Sequence, residues 1–105
     1  MLDEVARGHR QDRDFTPRLV GFRARILADL LPPGDVLDLG CADGLLTAAL
    51  GRRHRRVVGV DASGIRIRRA EQATSGLDNV ELRQSLFEDF RPEPGEQFNA
   101  VVMSC

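Results

Sequence analysis

Apolar residues along the chain recur in two patterns, one with helical spacing and one in short continuous runs. Helical spacing between residues 18 and 31 predicts an amphipathic helix, carried by Leu19, Phe22, Ile26, Leu27 and Leu30. Thr16 and Pro17 suit the start of that helix, and Pro32-Pro33 ends it because proline cannot continue a helix. The polar residues 1–17 are interpreted as a lead-in to a domain at 18–105.

Four short apolar runs predict strands, with two helices and a helical turn between them. The strands are expected at 35–40, 57–61, 80–83 and 98–103, the first two buried on both faces and the third near a sheet edge. The helices are expected at 45–50, closed by Gly51, and at 64–74, anchored by Ile65 and Ala70; the turn is expected at 87–90. Strands that alternate with helices favour an α/β fold with a parallel sheet and right-handed crossovers.

Length and charge restrict the function classes. The 105 residues suffice for one domain, and a net charge of -1 gives no overall field toward nucleic acid or membrane. All 15 basic residues are arginine, which we attribute to coding bias, and the absence of Trp and Tyr leaves few stacking platforms for bases. No apolar run approaches the roughly 20 residues of a membrane span. The acidic N-terminus does not resemble a secretory signal, so a cytoplasmic location is expected.

The cysteines and histidines do not form a recognisable reactive site. Cys41 and Cys105 lie far apart, without the CxxC or histidine spacing of metal sites, so no metal is predicted. A disulfide between them is not expected in a cytosolic chain. His9 and His54 are assigned no catalytic role.

A glycine-rich turn follows the first strand, where Gly40 and Gly44 bracket the junction with the next helix. Glycine lets the backbone approach a ligand closely, and N–H groups at a helix start favour an anionic group. Asp38, two residues before Gly40, instead suits a positively charged group such as an amine and would repel a pyrophosphate. Leu45 occupies the third glycine position of the dinucleotide fingerprint G-x-G-x-x-G, which therefore fits poorly. The alternative is a structural turn without a ligand.

Residues 38–44 (Asp-Leu-Gly-Cys-Ala-Asp-Gly) resemble motif I of the class I S-adenosylmethionine-dependent methyltransferases, an acid-x-G-x-G-x-G pattern in which Ala42 replaces the middle glycine. The resemblance implies a Rossmann-like, doubly wound parallel sheet and S-adenosylmethionine as the cofactor. It also implies cofactor contacts along the turn, at Asp38, Gly40, Cys41, Ala42 and Gly44.

Asp61 closes the second strand, 21 residues after Gly40, and an acid at this place can accept two hydrogen bonds from ribose hydroxyls. Residues 58–63 resemble the family's motif II, which implies cofactor contacts at Asp61 and Ala62. The alternative is that Asp61 caps the next helix, although Ser63 can serve as that cap and leave Asp61 free for the ribose.

Residues 82–90 align with the third motif of the family, with Leu86 where the family often has an acid that bonds to the adenine amino group. One of the acids at 88–89 could substitute. The resemblance implies that the Phe87 N–H meets adenine, with apolar contact from Leu86 or Phe87. The alternative is that Phe87 and Phe90 are simply core residues.

Residues 98–105 resemble motif IV, with Asn99 at a position where aspartate is common and with Met103 and Ser104 beside the methionine end of the cofactor. The family fold has seven strands in the order 3-2-1-4-5-7-6, and strands 3, 2, 1 and 4 are recognised here. We therefore expect an incomplete methyltransferase domain over 18–105, with strand four as a bare sheet edge. Acceptor-binding parts usually follow that strand, so no catalytic residue is assigned.

The resemblance implies S-adenosylmethionine-dependent methyl transfer to an unidentified acceptor. A small-molecule acceptor is favoured, and nucleic acid or protein acceptors stay open, as does the oligomeric state. The alternatives are a non-catalytic S-adenosylmethionine-binding or interaction domain and an NAD-dependent oxidoreductase. The arginine run at 52–56 is interpreted as a solvated loop, whereas Arg66, Arg68 and Arg69 lie nearer the binding edge and could meet a phosphate-bearing acceptor.

Overall fold

The computed structural model describes residues 25–103 of the protein. The predicted lead-in, the helix start at Thr16-Pro17 and the last two residues lie outside that range. Residues 25–30 are helical and are called α1, in agreement with the predicted helix. The other elements are, in chain order, β1 (Asp35–Leu39), α2 (Leu45–Arg53), β2 (Arg56–Asp61), α3 (Gly64–Ala73), β3 (Val80–Gln84), a 3-10 turn (Phe87–Asp89) and β4 (Ala100–Met103).

The four strands form one parallel sheet in the order β3-β2-β1-β4, which confirms the predicted fold class and strand order. The register places Leu39 opposite Val60 and Met103, and Asp61 opposite Gln84. The carboxyl ends of all four strands therefore lie along one edge of the sheet. The strand order reverses between β1 and β4, which is where open α/β sheets bind ligands.

One face of the sheet is covered by the helices. Helices α1 and α2 pack there in a cluster of buried residues: Ala28, Val36, Ala49, Leu50, Val57 and Val102. Helix α3 adds Ile67 and Ala70, which pack with Cys41 and Leu82 on the same face. Burial of these side chains contributes hydrophobic stabilisation, at about 25 cal/mol per Å² of apolar surface.

The opposite face is covered by an irregular segment that follows the 3-10 turn. Phe90 and Phe98 from this segment pack on Leu37, Val58 and Val60. The central strands are thus buried on both faces, which explains their continuous apolar runs and confirms that prediction.

Two predicted details of the helices are wrong. Helix α2 continues through Gly51 to Arg53, although the pattern predicts that the glycine closes it. A Cβ at position 51 would lie 2.7 Å from Val80 Cγ2, so glycine is needed where the helix passes β3. In α3 the anchors are Ile67 and Ala70, whereas Ile65 is exposed because the helical phase turns it away from the sheet.

Strand β4 begins at Ala100, two residues later than predicted, because Asn99 bonds to the start of β1. The Asn99 N–H donates to the carbonyl oxygen of Asp35 at 2.7 Å, and Asn99 Oδ1 accepts from the Asp35 N–H at 2.8 Å. An asparagine offers the same acceptor oxygen as the aspartate that is common at this position of the family.

The prediction that the arginine run at 52–56 is a solvated loop is only partly right: Arg52, Arg53 and Arg55 are exposed, but most of the run belongs to α2 and β2. Its first two arginines end α2, and its last two pair with Asp35 at N···O distances of 2.8 and 3.7 Å. His54, between them, is buried, with Nε2 2.9 Å from the carbonyl oxygen of Ala28. The run therefore joins α1, α2 and β1 at the amino edge of the sheet.

A second ion-pair cluster fastens the segment between the 3-10 turn and β4 to the sheet. Glu96, whose side chain is 5% exposed, accepts hydrogen bonds from both terminal nitrogens of Arg83 at 2.8 Å and from Arg56. The Arg56 guanidinium also lies 5.9 Å from the ring centre of Phe98. Hydrogen bonds from Arg83 and then Arg56 hold the pKa of Glu96 well below its usual range, because they stabilise the carboxylate.

The substitution Glu96→Gln keeps the shape of the side chain and removes its charge. We expect it to lower the free energy of unfolding by about 1–3 kcal/mol, because two partly buried guanidinium groups lose their most buried anionic partner and keep only more exposed or more distant carboxylates. Denaturant unfolding followed by circular dichroism measures this loss. Glu88→Gln, at an exposed acid of the 3-10 turn, is the matched control and should change stability by less than about 0.5 kcal/mol.

The same carboxylate makes stability depend on pH. Because the folded-state pKa of Glu96 is depressed, its contribution is present above the unfolded-state pKa and is lost as the pH falls through the folded-state value. The difference between wild type and Glu96→Gln should therefore shrink on acidification. A difference that is equal at neutral and strongly acidic pH would contradict this assignment.

The turn after β1 uses left-handed backbone at three positions. The φ angles are 82° at Gly40, 50° at Ala42 and 91° at Gly44. Glycine adopts such angles without steric cost, whereas the Cβ of Ala42 crowds the neighbouring carbonyl oxygen. Ala42 therefore carries backbone strain at the middle glycine position of the motif I pattern.

The substitution Ala42→Gly should relieve that strain and raise the free energy of unfolding by about 0.5–1 kcal/mol. Thermal or denaturant unfolding measures the change. The control is Ala48→Gly, inside α2, which should lower stability by about 1 kcal/mol because glycine disfavours a helix interior. Destabilisation in both variants would show that Ala42 is not strained.

Candidate functional site

The candidate site lies along the carboxyl edge of the sheet, where the turns after β1, β2 and β3 meet the end of β4. The turn at 40–44 is braced against β2: the N–H groups of Gly40 and Cys41 donate to the carbonyl oxygen of Val60 at 2.7 and 3.0 Å. The next N–H, of Ala42, donates to Asp61 Oδ2 at 3.0 Å. Three consecutive N–H groups of the turn are therefore used by the fold.

Asp38 lies beneath this turn rather than at the open edge. Its side chain is fully buried, and its Oδ2 accepts a hydrogen bond of 2.7 Å from the hydroxyl of Thr47, which is also fully buried. In the register, Asp38 lies between Gly59 of β2 and Val102 of β4. The carboxylate is thus held under the point where the strand order reverses.

Gly59 and Thr47 complete the packing around Asp38, and the sequence motifs identify neither residue. A Cβ at position 59 would lie 3.2 Å from Cys41 Cβ and 3.2 Å from Thr47 Cγ2. The glycine therefore leaves room for the turn and for the threonine that bonds to Asp38. The glycine within the Val-Gly-Val run of β2 was an available signal, although the sequence does not reveal what it faces.

Asp61 connects two turns through its carboxylate. Oδ2 accepts from the Ala42 N–H at 3.0 Å, and Oδ1 accepts from the Ser63 N–H at 2.9 Å. Ser63 caps α3 as predicted, with its side chain accepting from the Arg66 N–H at 3.2 Å. The expectation that this leaves Asp61 free is wrong, because both carboxylate oxygens bond to backbone. Each oxygen still has a second lone pair with which to accept a ligand hydroxyl.

The pKa of the Cys41 thiol indicates the electrostatic potential at the turn. Burial first, and then the charges of Asp38 and Asp61, raise the pKa of its thiol to about 12. The thiol is therefore protonated at neutral pH and is not a nucleophile. Both carboxylates act on the same side chain, so the turn lies in a region of negative potential.

The glycine at 44 serves the packing of the turn. A Cβ there would lie 2.8 Å from the Cα of Ala70 in α3, closer than atoms tolerate. Together with its left-handed φ angle, this contact accounts for glycine at the start of α2.

The phenylalanines after β3 have different surroundings. Phe90 is half-buried against the sheet, in agreement with the core alternative, whereas Phe87 is exposed, as is Leu86 before it. Ala62, after β2, is also exposed, and its carbonyl oxygen accepts from Gln84 Nε2 at 3.1 Å. Exposed positions after β2 and β3 thus lie side by side.

Exposed apolar side chains lie at or after the carboxyl ends of the strands at this edge. We call them the apolar rim: Leu45, Ile65, Leu86, Phe87 and Met103. They follow or end the four parallel strands, so they gather where the strand ends meet. Apolar side chains grouped around a few fixed polar groups are typical of small-molecule sites.

Comparison with known proteins identifies the family. The model of a family described as "Methyltransferase domain" matches residues 36–105. An uncharacterized methyltransferase of Schizosaccharomyces pombe is 33% identical over 100 residues, which cover 95% of this chain and 37% of that protein. A ubiquinone biosynthesis O-methyltransferase of Pseudomonas entomophila is 38% identical over 69 residues, which cover 64% of this chain and 29% of that protein.

A solved structure agrees with the sequence comparisons. The complex of DhpI with SAH has a TM-score of 0.68 at 34% identity, over 93% of this chain and 48% of that chain. This chain spans about a third of the length of the curated relatives named above. The family model covers about two thirds of the chain, including the glycine-rich turn and both buried carboxylates. The chain therefore belongs to the class I methyltransferase family.

Proposed function

We propose that this chain binds S-adenosylmethionine at the carboxyl edge of its sheet and supplies the cofactor-binding part of a methyltransferase. The observation that carries the proposal is the position of the turn between two buried carboxylates, Asp38 and Asp61. S-adenosylmethionine carries a positive sulfonium and a positive ammonium group, so a region of negative potential attracts it. The SAH bound in the similar DhpI structure supports the same class of ligand.

In this proposal the cofactor lies across the turn, with its two ends at different strands. The methionine end lies near Met103, where Asp38 acts from beneath the turn formed by Gly40, Cys41, Ala42 and Gly44. The adenosine end lies toward β2 and β3. There it meets Asp61, Ala62, Leu86 and Phe87. The second lone pairs of the Asp61 oxygens accept the ribose hydroxyls, and the exposed apolar pair after β3 contacts the adenine.

The bound cofactor supplies an electrophilic methyl group on sulfur. The residues described here bind it, orient it and exclude water, and such positioning is the main requirement of a displacement at carbon. We assign no catalytic base. His54 bonds to Ala28 at the amino edge, away from the proposed site, and His9 lies outside the described residues.

We further propose a small-molecule acceptor. The apolar rim and the ubiquinone biosynthesis O-methyltransferase among the similar proteins support this class. A phosphate-bearing acceptor remains a separate hypothesis for the α3 arginines, of which Arg69 pairs with Asp43 at 3.7 Å.

Within residues 25–103, no helix combines the length and apolarity needed to cross a membrane. The cytoplasmic location stays a prediction from the sequence.

The oxidoreductase alternative fits this site less well. A dinucleotide brings a pyrophosphate to the turn after β1, where the charge of Asp38 would oppose it, and Leu45 occupies the third glycine position of the dinucleotide fingerprint. Non-catalytic binding of S-adenosylmethionine differs from the main proposal only in lacking methyl transfer. No observation in the described part of the chain favours it.

Isothermal titration of the full chain with S-adenosylhomocysteine, the demethylated form of the cofactor, tests the proposal. We expect saturable binding of one ligand per chain and no response to NAD. Asp38→Asn should weaken the binding about tenfold or more, because it removes one of the two charges at the turn. Asp78→Asn, an exposed acid before β3 at the opposite edge, is the matched control and should bind as the wild type does.

Two results would contradict the proposal. One is a folded wild-type chain that binds NAD but not S-adenosylhomocysteine. The other is equal binding by wild type and Asp38→Asn, which would place the ligand away from this turn.

A further inference from the structure

The contact between Asp38 and Thr47 is the most enclosed polar interaction described in this protein. The carboxylate belongs to β1 and the hydroxyl to the first turn of α2, so the hydrogen bond closes the glycine-rich turn from beneath. Both side chains are fully buried, and the Oγ1–Oδ2 distance is 2.7 Å. A short bond from a hydroxyl to a carboxylate is among the stronger hydrogen bonds in proteins.

A buried carboxylate stays ionised only where hydrogen bonds replace the water that it has lost. The Thr47 hydroxyl supplies one such bond. Its orientation is restricted, because Thr47 Cγ2 points toward the space that a side chain at Gly59 would occupy: a Cβ there would lie 3.2 Å from it. A threonine held in this way fixes the direction of the carboxylate as well as its charge.

The position of Asp38 in the sheet determines which part of a ligand it acts on. Asp38 is in β1, between β2 and β4, whereas Asp61 ends β2, which lies next to β3. A ligand that spans both strands therefore meets these carboxylates at opposite ends. The charge of Asp38 acts on the end near β4, which is the amino acid end in the proposed arrangement.

We propose that Thr47 is a positioning residue for the cofactor: through its hydroxyl it holds the Asp38 carboxylate beneath the turn and so strengthens binding of the ammonium-bearing amino acid end. This role rests on the proposed function. In this role Thr47 strengthens binding of the amino acid part of the ligand but not of the adenosine part. A residue that only supports the fold would affect the binding of both parts equally.

The test compares two ligands in calorimetric titrations of the full chain. S-adenosylhomocysteine carries the amino acid, whereas 5′-methylthioadenosine keeps the adenosine and the sulfur but lacks the amino acid. Thr47→Val should weaken binding of S-adenosylhomocysteine about tenfold, the usual effect of losing a hydrogen bond to a charged group. Binding of 5′-methylthioadenosine should change by less than about twofold, and Thr47→Ser should restore the binding of S-adenosylhomocysteine.

Thr74→Val is the matched control. Thr74 is also a buried threonine, and its hydroxyl donates to the carbonyl oxygen of Ala70 at 2.8 Å, so the variant loses a buried hydroxyl bond without affecting a carboxylate. It should bind both ligands as the wild type does. Unfolding curves of each variant show whether it is folded during the titration.

The outcomes separate this inference from the function on which it rests. A wild-type chain that binds neither ligand overturns the proposed function. Wild-type binding that is unchanged in Thr47→Val, or lost equally for both ligands, overturns the role of Thr47 alone. If Thr47→Val does not fold, Thr47→Cys takes its place, because the thiol keeps the size and donates only weakly. Selective loss of S-adenosylhomocysteine then supports the inference, and equal loss overturns it.

Discussion

Two buried carboxylates hold the turn on which the candidate site depends. Asp38 supports the turn from beneath through Thr47, and Asp61 holds its side through the N–H of Ala42. Buried charges are costly unless they are hydrogen-bonded, so the partners of both groups are constrained as strictly as the acids themselves. The same arrangement gives the turn its negative potential, and one set of contacts therefore serves both the fold and the proposed ligand.

Away from the candidate site, the sheet is organised by ion pairs of the arginines. The run at 52–56 joins the helical layer to β1, and Glu96 binds Arg56 and Arg83 to fasten the irregular segment that covers the second face. Charge is thus placed where it holds elements together, at the amino edge and between the second face of the sheet and the segment that covers it. The carboxyl edge instead carries apolar side chains around a fixed turn, as a site for an organic ligand requires.

Most of the fold could be predicted because its signals are local. Continuous apolar runs identify β1 and β2 as strands buried on both faces, and the alternation with helices identifies a parallel sheet. The strand order came from the resemblance of residues 38–44 and of the later motifs to a known family. Errors arose where a residue's identity depends on a distant neighbour: Gly51 faces Val80 across the helix–sheet contact, and a local pattern treats it as a helix end.

The sequence by itself determined the fold class, the glycine-rich turn and the acids that flank it, because spacing along one strand and one turn specifies them. Only the tertiary structure decided what those acids do. Asp38 is buried and accepts a hydrogen bond from Thr47, nine positions later in the chain. Asp61 accepts hydrogen bonds from the backbone of two turns. Both contacts join elements that parallel register brings together, and register depends on the packing of the whole sheet. A motif records which residues are present, whereas burial and hydrogen bonding depend on what the fold places against them.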